Sequence, residues 1–479
     1  MNLQKHKHLN QYIGDAAFYR TLFAVVLPIM LQNGLSTFVN LLDNIMVGSV
    51  GTEQMSGVSI VNQLLFVFNL CLFGGVGGAG IFTAQFFGKR DDEGIRHTFR
   101  FKLLLSLGLF AAGLTVFLCF GKELIALYLH EGGETGDIAL TAVEGQKYLS
   151  MMLFGLLPFA IVQTYASTLR ECGETILPMK AGIAAIFTNL IGNYILIFGN
   201  FGAPKMGTEG AALATVISRW VELSIVVIWT HRHPEKMPFI RGVYRRFTIP
   251  KALCASIAVK GLPLLLNETL WSAGQAALTQ SYSTRGLAVV AAMNVATTIS
   301  NLFNILWISM GTAVSILVGQ QLGAGEFERV KVTSKRLLAF SVTMAVTAGA
   351  VLFLLAPLFP QLYNTTDEVR DLAVGFMRVT AVCSPLYAYC NVAYFMLRAG
   401  GRTGITFLFD SVYLWVFKIP VTRLIIRDAG LFVVLVFAIV EALDLVKCIL
   451  GFILIKKGVN ASIAWILFSA LLFLPGMVQ

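Results

Sequence analysis

An aspartate at position 43 lies within the apolar run 27–51, LPIMLQNGLSTFVNLLDNIMVGSVG. An ionisable group in a lipid-spanning helix costs roughly 2.5–3.5 kcal/mol even on the lenient insertion scale, so it marks a pathway or relay unless it reaches interfacial water. Depth alone leaves both readings open. Counting at about 1.5 Å per residue, Asn193 on a fifth apolar segment and Thr215 on a sixth fall within a few ångströms of the level of Asp43, with Asn189 one turn deeper. A carboxylate facing amide and hydroxyl oxygens can hold a proton or coordinate a small hard cation such as Na⁺. Three unrelated residues, each satisfying an interhelical hydrogen bond, would give the same pattern.

The carboxy-terminal half offers other acids. Glu268 falls near the middle of a seventh segment, where it could meet a cationic cargo or act as a second coupling group. Asp410, two turns into an eleventh segment, is a second candidate for that role and could equally pair with Lys418 or Arg402. Asp444 and Lys447, at i,i+3 spacing after Glu441, are expected to neutralise each other, as are Arg219 and Glu222.

An enzyme is not supported. The six histidines (6, 8, 97, 130, 231 and 233) fall in tails or loops, with no intramembrane metal cluster and no nucleophile–base pair on facing segments. The seven cysteines have no C-x-x-C or metal spacing and read as small buried apolar residues. No metal site and no cofactor beyond a coupling ion, H⁺ or Na⁺, is expected.

The elements that position these groups follow from composition. A 479-residue chain that is 56% hydrophobic and 13% charged is a multi-pass membrane protein. Apolar windows predict an all-α fold of twelve transmembrane helices, beginning near residues 21, 56, 99, 137, 178, 209, 254, 287, 334, 368, 405 and 430. The net charge of +10 is not a nucleic-acid signature: most of the 36 lysines and arginines lie on one side of the predicted spans. That bias puts both termini in the cytoplasm, with no cleaved signal peptide, and places the chain in the cell membrane.

The chain repeats itself. Leu27-Pro28 matches Leu262-Pro263 at a shift of 235, as do Gly51 and Gly286, Phe68-Asn69 and Phe303-Asn304, and Gln85-x-x-Gly88 and Gln320-x-x-Gly323. At a shift of 228, Leu169-Arg170-x-x-Gly173-x-Thr175 matches Leu397-Arg398-x-x-Gly401-x-Thr403. Each copy carries six spans, so the copies lie the same way up and are related by a pseudo-two-fold along the membrane normal, with a substrate expected between them. The organisation is a cytoplasmic tail (1–20), an N lobe (21–231), a basic linker (232–253), a C lobe (254–457) and an apolar tail (458–479). The linker is expected to be solvated beside lipid headgroups, and the apolar tail to lie along the interface. Asn364-Thr365-Thr366 fits a glycosylation acceptor on the outer side.

Pro28 and Pro263, matched in the repeat, each remove a helical hydrogen bond and are candidate hinges in the first helix of each lobe. The run Gly75-Val-Gly77-Gly78-Ala-Gly80 fits G-x-G-x-x-G, but no strand precedes it. Glycines 74 and 78 instead allow another helix backbone to approach closely.

Together these residues resemble the multidrug and toxic compound extrusion (MATE) family, in particular a Gram-positive bacterial branch. The carriers are Pro28 with Asp43-x-x-Met46-Val47-Gly48, Gln85-x-x-Gly88, the two L-R-x-x-G-x-T copies, Asn189-x-x-x-Asn193 before Leu196-Ile197-Phe198-Gly199, Gly210-Ala211-Ala212-x-Ala214-Thr215, and Gly261-Leu262-Pro263. The resemblance implies two six-helix lobes arranged as a V, and export of amphipathic, often cationic compounds against inward H⁺ or Na⁺. It also implies an ion or proton site at Asp43, Asn189, Asn193 and Thr215. Asn193 stands where the family archetype has aspartate, which tilts the expectation toward protons. Glu268 lies one turn before the glutamate of the Na⁺-coupled branch, and Arg402 occupies the acidic position of the tenth helix.

The expected function is therefore antiport of amphipathic cationic small molecules by a monomer that contacts membrane lipids. The alternatives are a flippase for lipid-linked saccharides, which would need a cationic cavity, or a non-transporting membrane partner, which would carry a soluble signalling domain.

Overall fold

The computed structural model describes residues 11–129, 137–245, 247–363, 365–427 and 431–457. The first ten residues, Asn364 of the acceptor triplet and the apolar tail from 458 lie outside them. Among the described residues the fold is helical throughout, without strands. The helices are α1 Ala16–Gly48, α2 Thr52–Gly88, α3 Asp92–Ala126, α4 Ile138–Glu171, α5 Ile176–Leu196, α6 Thr208–Arg232, α7 Lys251–Ser283, α8 Leu287–Gly323, α9 Phe327–Leu355, α10 Asp367–Ala399 and α11 Thr403–Ile426. All eleven are long and apolar enough to cross a membrane. The twelfth apolar segment is broken at Leu443 into α12 Val433–Ala442 and α13 Asp444–Lys457.

Several helices start before the predicted positions because their first turns are polar. In α3 the Asp91 side chain accepts from the Gly94 N–H at 2.8 Å and Asp92 and Glu93 fill the first turn, so the helix begins before hydropathy turns favourable. Two helices carry irregular winding. A 3₁₀ turn, Leu153–Gly155, interrupts α4, and α11 winds as a π-helix over Leu408–Lys418.

Packing divides the chain into two units, one running from Leu27 to Leu265, the other uniting Val26 and the residues before it with Leu266 and the residues after it. The chain passes between units inside α1, at Val26–Leu27, and inside α7, at Leu265–Leu266. Each crossing is within three residues of a helix-interior proline, Pro28 or Pro263.

In the Leu27–Leu265 unit, Val61, Leu65 and Leu72 of α2 pack with Phe117 of α3, Met152 and Leu156 of α4 and Ala212 of α6. The beginning of α7 belongs here too: a Cβ at Gly74 would meet the Leu265 Cα at 3.0 Å, and Lys260 Nζ lies 5.4 Å from the centre of the Phe82 ring. In the other unit, Ala292 and Val295 of α8, Leu352 of α9, Ala373 and Met377 of α10 and Val436 and Val440 of α12 form the core. The start of α1 joins it through Tyr19 and Phe23, whose rings lie 5.9 and 5.6 Å from Phe340 of α9.

The basic linker departs from expectation. Met237, Phe239, Ile240 and Val243 are buried against Ile95, Phe99, Tyr165 and Leu169. Arg100 donates to the carbonyls of Val243 (2.7 Å), Gly242 (3.2 Å) and Thr248 (3.2 Å), and Arg96 donates to that of Phe239 (3.1 Å). Arg241 and Arg245 remain exposed. The apolar residues interleaved with the basic ones are enough to dock the linker while its charges stay in water.

Candidate functional site

Two close approaches bring α5 and α6 together. A Cβ on Gly210 would lie 2.6 Å from the Leu196 carbonyl oxygen, and one on Gly192 would lie 2.9 Å from the Ala214 Cβ. Small residues therefore let the backbones nearly touch, which carries Asn189 and Asn193 of α5 up to Thr215 of α6. Gly182 of α5 likewise leaves room for Gln32 of α1, since a Cβ there would lie 2.8 Å from Gln32 Nε2.

The four residues named from the sequence meet. Asn193 Nδ2 donates to Asp43 Oδ1 at 2.6 Å. The Asn189 amide lies between Asp43 and Thr215. An ionised carboxylate only accepts, which selects the amide orientation with nitrogen toward Asp43. In that orientation Asn189 donates to Oδ1 (2.9 Å) and Oδ2 (3.1 Å), and its oxygen accepts from the Thr215 hydroxyl at 3.0 Å. Asn189 and Asn193 are 6% and 1% exposed, whereas Asp43 is half-buried. Asn193 Oδ1 is buried without a hydrogen-bond partner among the described residues. The arrangement thus joins a carboxylate held by amide N–H groups to an amide whose own carbonyl oxygen is buried and unpartnered among the described residues.

The other unit pairs its charges differently from the sequence reading. Asp410 meets neither Lys418 nor Arg402 as its ionic partner. Lys447 Nζ lies 2.5 Å from its Oδ1, and Asn267 Nδ2 donates to its Oδ2 at 3.1 Å. Asp444 makes its ion pair with Lys418 at 3.2 Å and attracts Lys447 only from beyond contact distance, and Lys418 also reaches Glu441 at 3.4 Å. The π winding of α11 and the break at Leu443 change the angular positions that α-helical spacing assumes. At the break the Leu443 carbonyl accepts from the Val446 N–H at 2.9 Å and from the Tyr413 hydroxyl at 2.7 Å. Glu268 lies 3.9 Å from Arg398. Arg219 donates to the Gly155 carbonyl (3.2 Å) and sits 4.8 Å from the centre of the Phe159 ring, and it attracts Glu222, its expected partner, without a contact ion pair.

Sequence reasoning missed Lys102 of α3. It is fully buried, forms an ion pair with Glu171 and donates to Ser167 and Thr168 at 3.3 and 3.2 Å. Its position among the basic residues at the start of α3 made it look solvated. A side chain on Gly80 would collide with the Glu171 carboxylate, and that glycine was the available signal.

Eleven spanning helices, buried charges paired between them and a carboxylate–amide site within one unit define a multi-pass α-helical membrane protein. A family model, MatE, matches residues 28–195 and 263–424, one stretch in each half of the repeat. The chain belongs to this family of membrane transporters, which are not enzymes. It is 23% identical over 412 residues to "Probable multidrug resistance protein NorM" of Thermotoga maritima, covering 85% of this chain and 86% of that one. It is 24% identical over 430 residues to "Probable multidrug resistance protein YoeA" of Bacillus subtilis, covering 88% and 90%. The fold matches that of an outward-facing MATE family multidrug transporter of the MOP superfamily, with a TM-score of 0.82 and 20% identity over 96% of this chain and 98% of that one.

Proposed function

We propose that the protein is a multidrug exporter that moves amphipathic, cationic small molecules out of the cell in exchange for protons entering through Asp43. The observation that carries this reading is the meeting of Asp43 with Asn189, Asn193 and Thr215 beside the orphaned oxygen of Asn193. Ionised, Asp43 accepts from both amides. Protonated, it must turn one oxygen into a donor, and Asn193 Oδ1 is the acceptor within its own site. The exchange of donor and acceptor roles redraws the α1–α5 contact, and Pro28 gives α1 a place to bend in response. Pro263 provides the matching hinge in α7.

Protons are favoured over Na⁺ because the site holds one carboxylate, and a hard cation gains from more anionic oxygen ligands. A one-for-one exchange of a proton for a monovalent cation moves no net charge, so the pH difference drives it: each pH unit is worth about 1.4 kcal/mol, roughly tenfold accumulation under tight coupling. The excess of basic residues on one side supports a cell-membrane location with both termini in the cytoplasm. Its relatives' printed names support a drug-like cargo.

The test is reconstitution into vesicles with proton and sodium gradients imposed separately and efflux of a cationic dye followed. A proton gradient alone should drive efflux in the parent protein, and Asp43→Asn should abolish it at equal incorporation. Full proton-driven efflux by Asp43→Asn would refute the assignment.

A further inference from the structure

Asp410, Glu441 and Asp444 share the interior of one unit with two ammonium groups, Lys418 and Lys447. Lys447 is committed to Asp410 at 2.5 Å, and Lys418 is divided between Asp444 Oδ2 at 3.2 Å and Glu441 Oε2 at 3.4 Å. The nearby Glu268 has its own guanidinium partner, Arg398. Among the described residues, three carboxylates against two ammoniums leave one negative charge in excess, and an uncompensated charge inside a membrane bundle is costly enough to be cancelled by a bound proton or cation.

The surplus falls on Glu441. Its contact with Lys418 is the longer of the two, and its other donor is the neutral Tyr387 hydroxyl at 2.6 Å. Both donors address Oε2, and Oε1 accepts from no donor among the described residues. An independent observation points to the same place. The Tyr282 side chain of α7 is 2% exposed, and its hydroxyl has no hydrogen-bond partner among the described residues. Its ring packs edge-on against Phe437, one turn before Glu441, at 5.8 Å, and the phenol interacts electrostatically with the Glu441 carboxylate. The titratable groups facing Glu441 are Tyr282 from α7, Cys383 and Tyr387 from α10, Tyr413 and Lys418 from α11, and Asp444 across the break.

We propose that Glu441 is a second proton-binding group, held by Tyr387 and Lys418, with the Tyr282 hydroxyl available to accept from the neutral carboxylic acid. The proton comes from water and resides on Glu441, bringing the five-residue cluster to zero net charge with no other bond changed. The site lies in a different unit from the one that holds Asp43 and does not depend on the role assigned to Asp43.

The experiment counts protons taken up by the purified full-length protein after a pH drop, in the Asp43→Asn background so that Asp43 contributes nothing. The uptake attributable to Glu441 should be about one proton per chain, absent from Asp43→Asn/Glu441→Gln, together with loss of a carboxylic C=O infrared band. Asp444→Asn in the same background should abolish the same uptake, because it gives Glu441 sole possession of Lys418; this variant serves if Glu441→Gln fails to fold. Glu441→Gln should keep the parent's thermal midpoint, since its remaining charges pair evenly. Uptake unchanged by either substitution would overturn the proposal. So would displacement of the proton by added Na⁺, or a fall in thermal midpoint for Glu441→Gln as large as that for Asp410→Asn, which would make Glu441 only an ionised partner of Lys418.

Discussion

Gly78 of α2 meets Gly261 of α7 so closely that a Cβ added to Gly78 would lie 2.5 Å from the Gly261 Cα, whereas one added to Gly261 would lie at an ordinary 3.7 Å from the Gly78 Cα. The contact is asymmetric and predicts unequal mutants. Gly78→Ala should lower stability by about 1–3 kcal/mol, the usual range for overpacking against backbone that cannot yield. Gly261→Ala should be nearly silent. Thermal unfolding in detergent of the two variants side by side provides the check, and equal effects would contradict the contact.

Asn193 supplies both the 2.6 Å donor to Asp43 and the unpartnered carbonyl oxygen. Replacing it by alanine removes both and should cut proton-driven dye efflux by tenfold or more, with protein level unchanged. Asn193→Asp instead adds an anionic oxygen ligand, so efflux driven by a sodium gradient should appear where the parent shows little. Vesicle efflux under separately imposed gradients distinguishes the two outcomes.

The Lys447–Asp410 ion pair, at 2.5 Å, predicts a strong coupling. Lys447→Met or Asp410→Asn alone strands a buried charge and should cost about 3–5 kcal/mol. The double variant should recover much of that loss. A double-mutant cycle on thermal stability measures it, and additivity of the two single effects would show that the pair does not couple.

Arg100 fastens the linker through three carbonyl oxygens. Hydrogen bonds from charged donors contribute about 1.5–3 kcal/mol each, so Arg100→Ala should loosen the segment around Val243 without unfolding the helices. Limited trypsin digestion reads this directly: cleavage at the exposed Arg241 and Arg245 should be at least severalfold faster than in the parent. An unchanged digestion pattern would mean that apolar burial alone holds the linker.

The helical architecture was legible in the sequence because lipid forces every backbone group to be satisfied within its own segment, so hydropathy alone counts the spans. Helix starts were read late wherever a capped polar turn precedes the apolar run, as at Asp91. The meeting of Asp43, Asn189, Asn193 and Thr215 was legible because depth along regular helices is arithmetic at 1.5 Å per residue. Azimuth was less so. The partners of Asp410 and Asp444 were misread because a π stretch and a broken helix rotate side chains away from the positions that 3.6 residues per turn assign. The linker was misread because charge density was weighed above its apolar residues, and Phe239 and Val243 decide its packing.

Residues 251–265, which include Pro263, pack with the helices before them, although the remainder of their helix belongs to the other unit. Anyone recombining this gene with that of a relative by splicing at the loop between the halves would separate α2 from the backbone that Gly74 and Gly78 were shaped to receive. Chimeras that retain folded protein should instead be joined within the first and seventh helices, beside the two prolines, so that the interchangeable modules end in mid-helix.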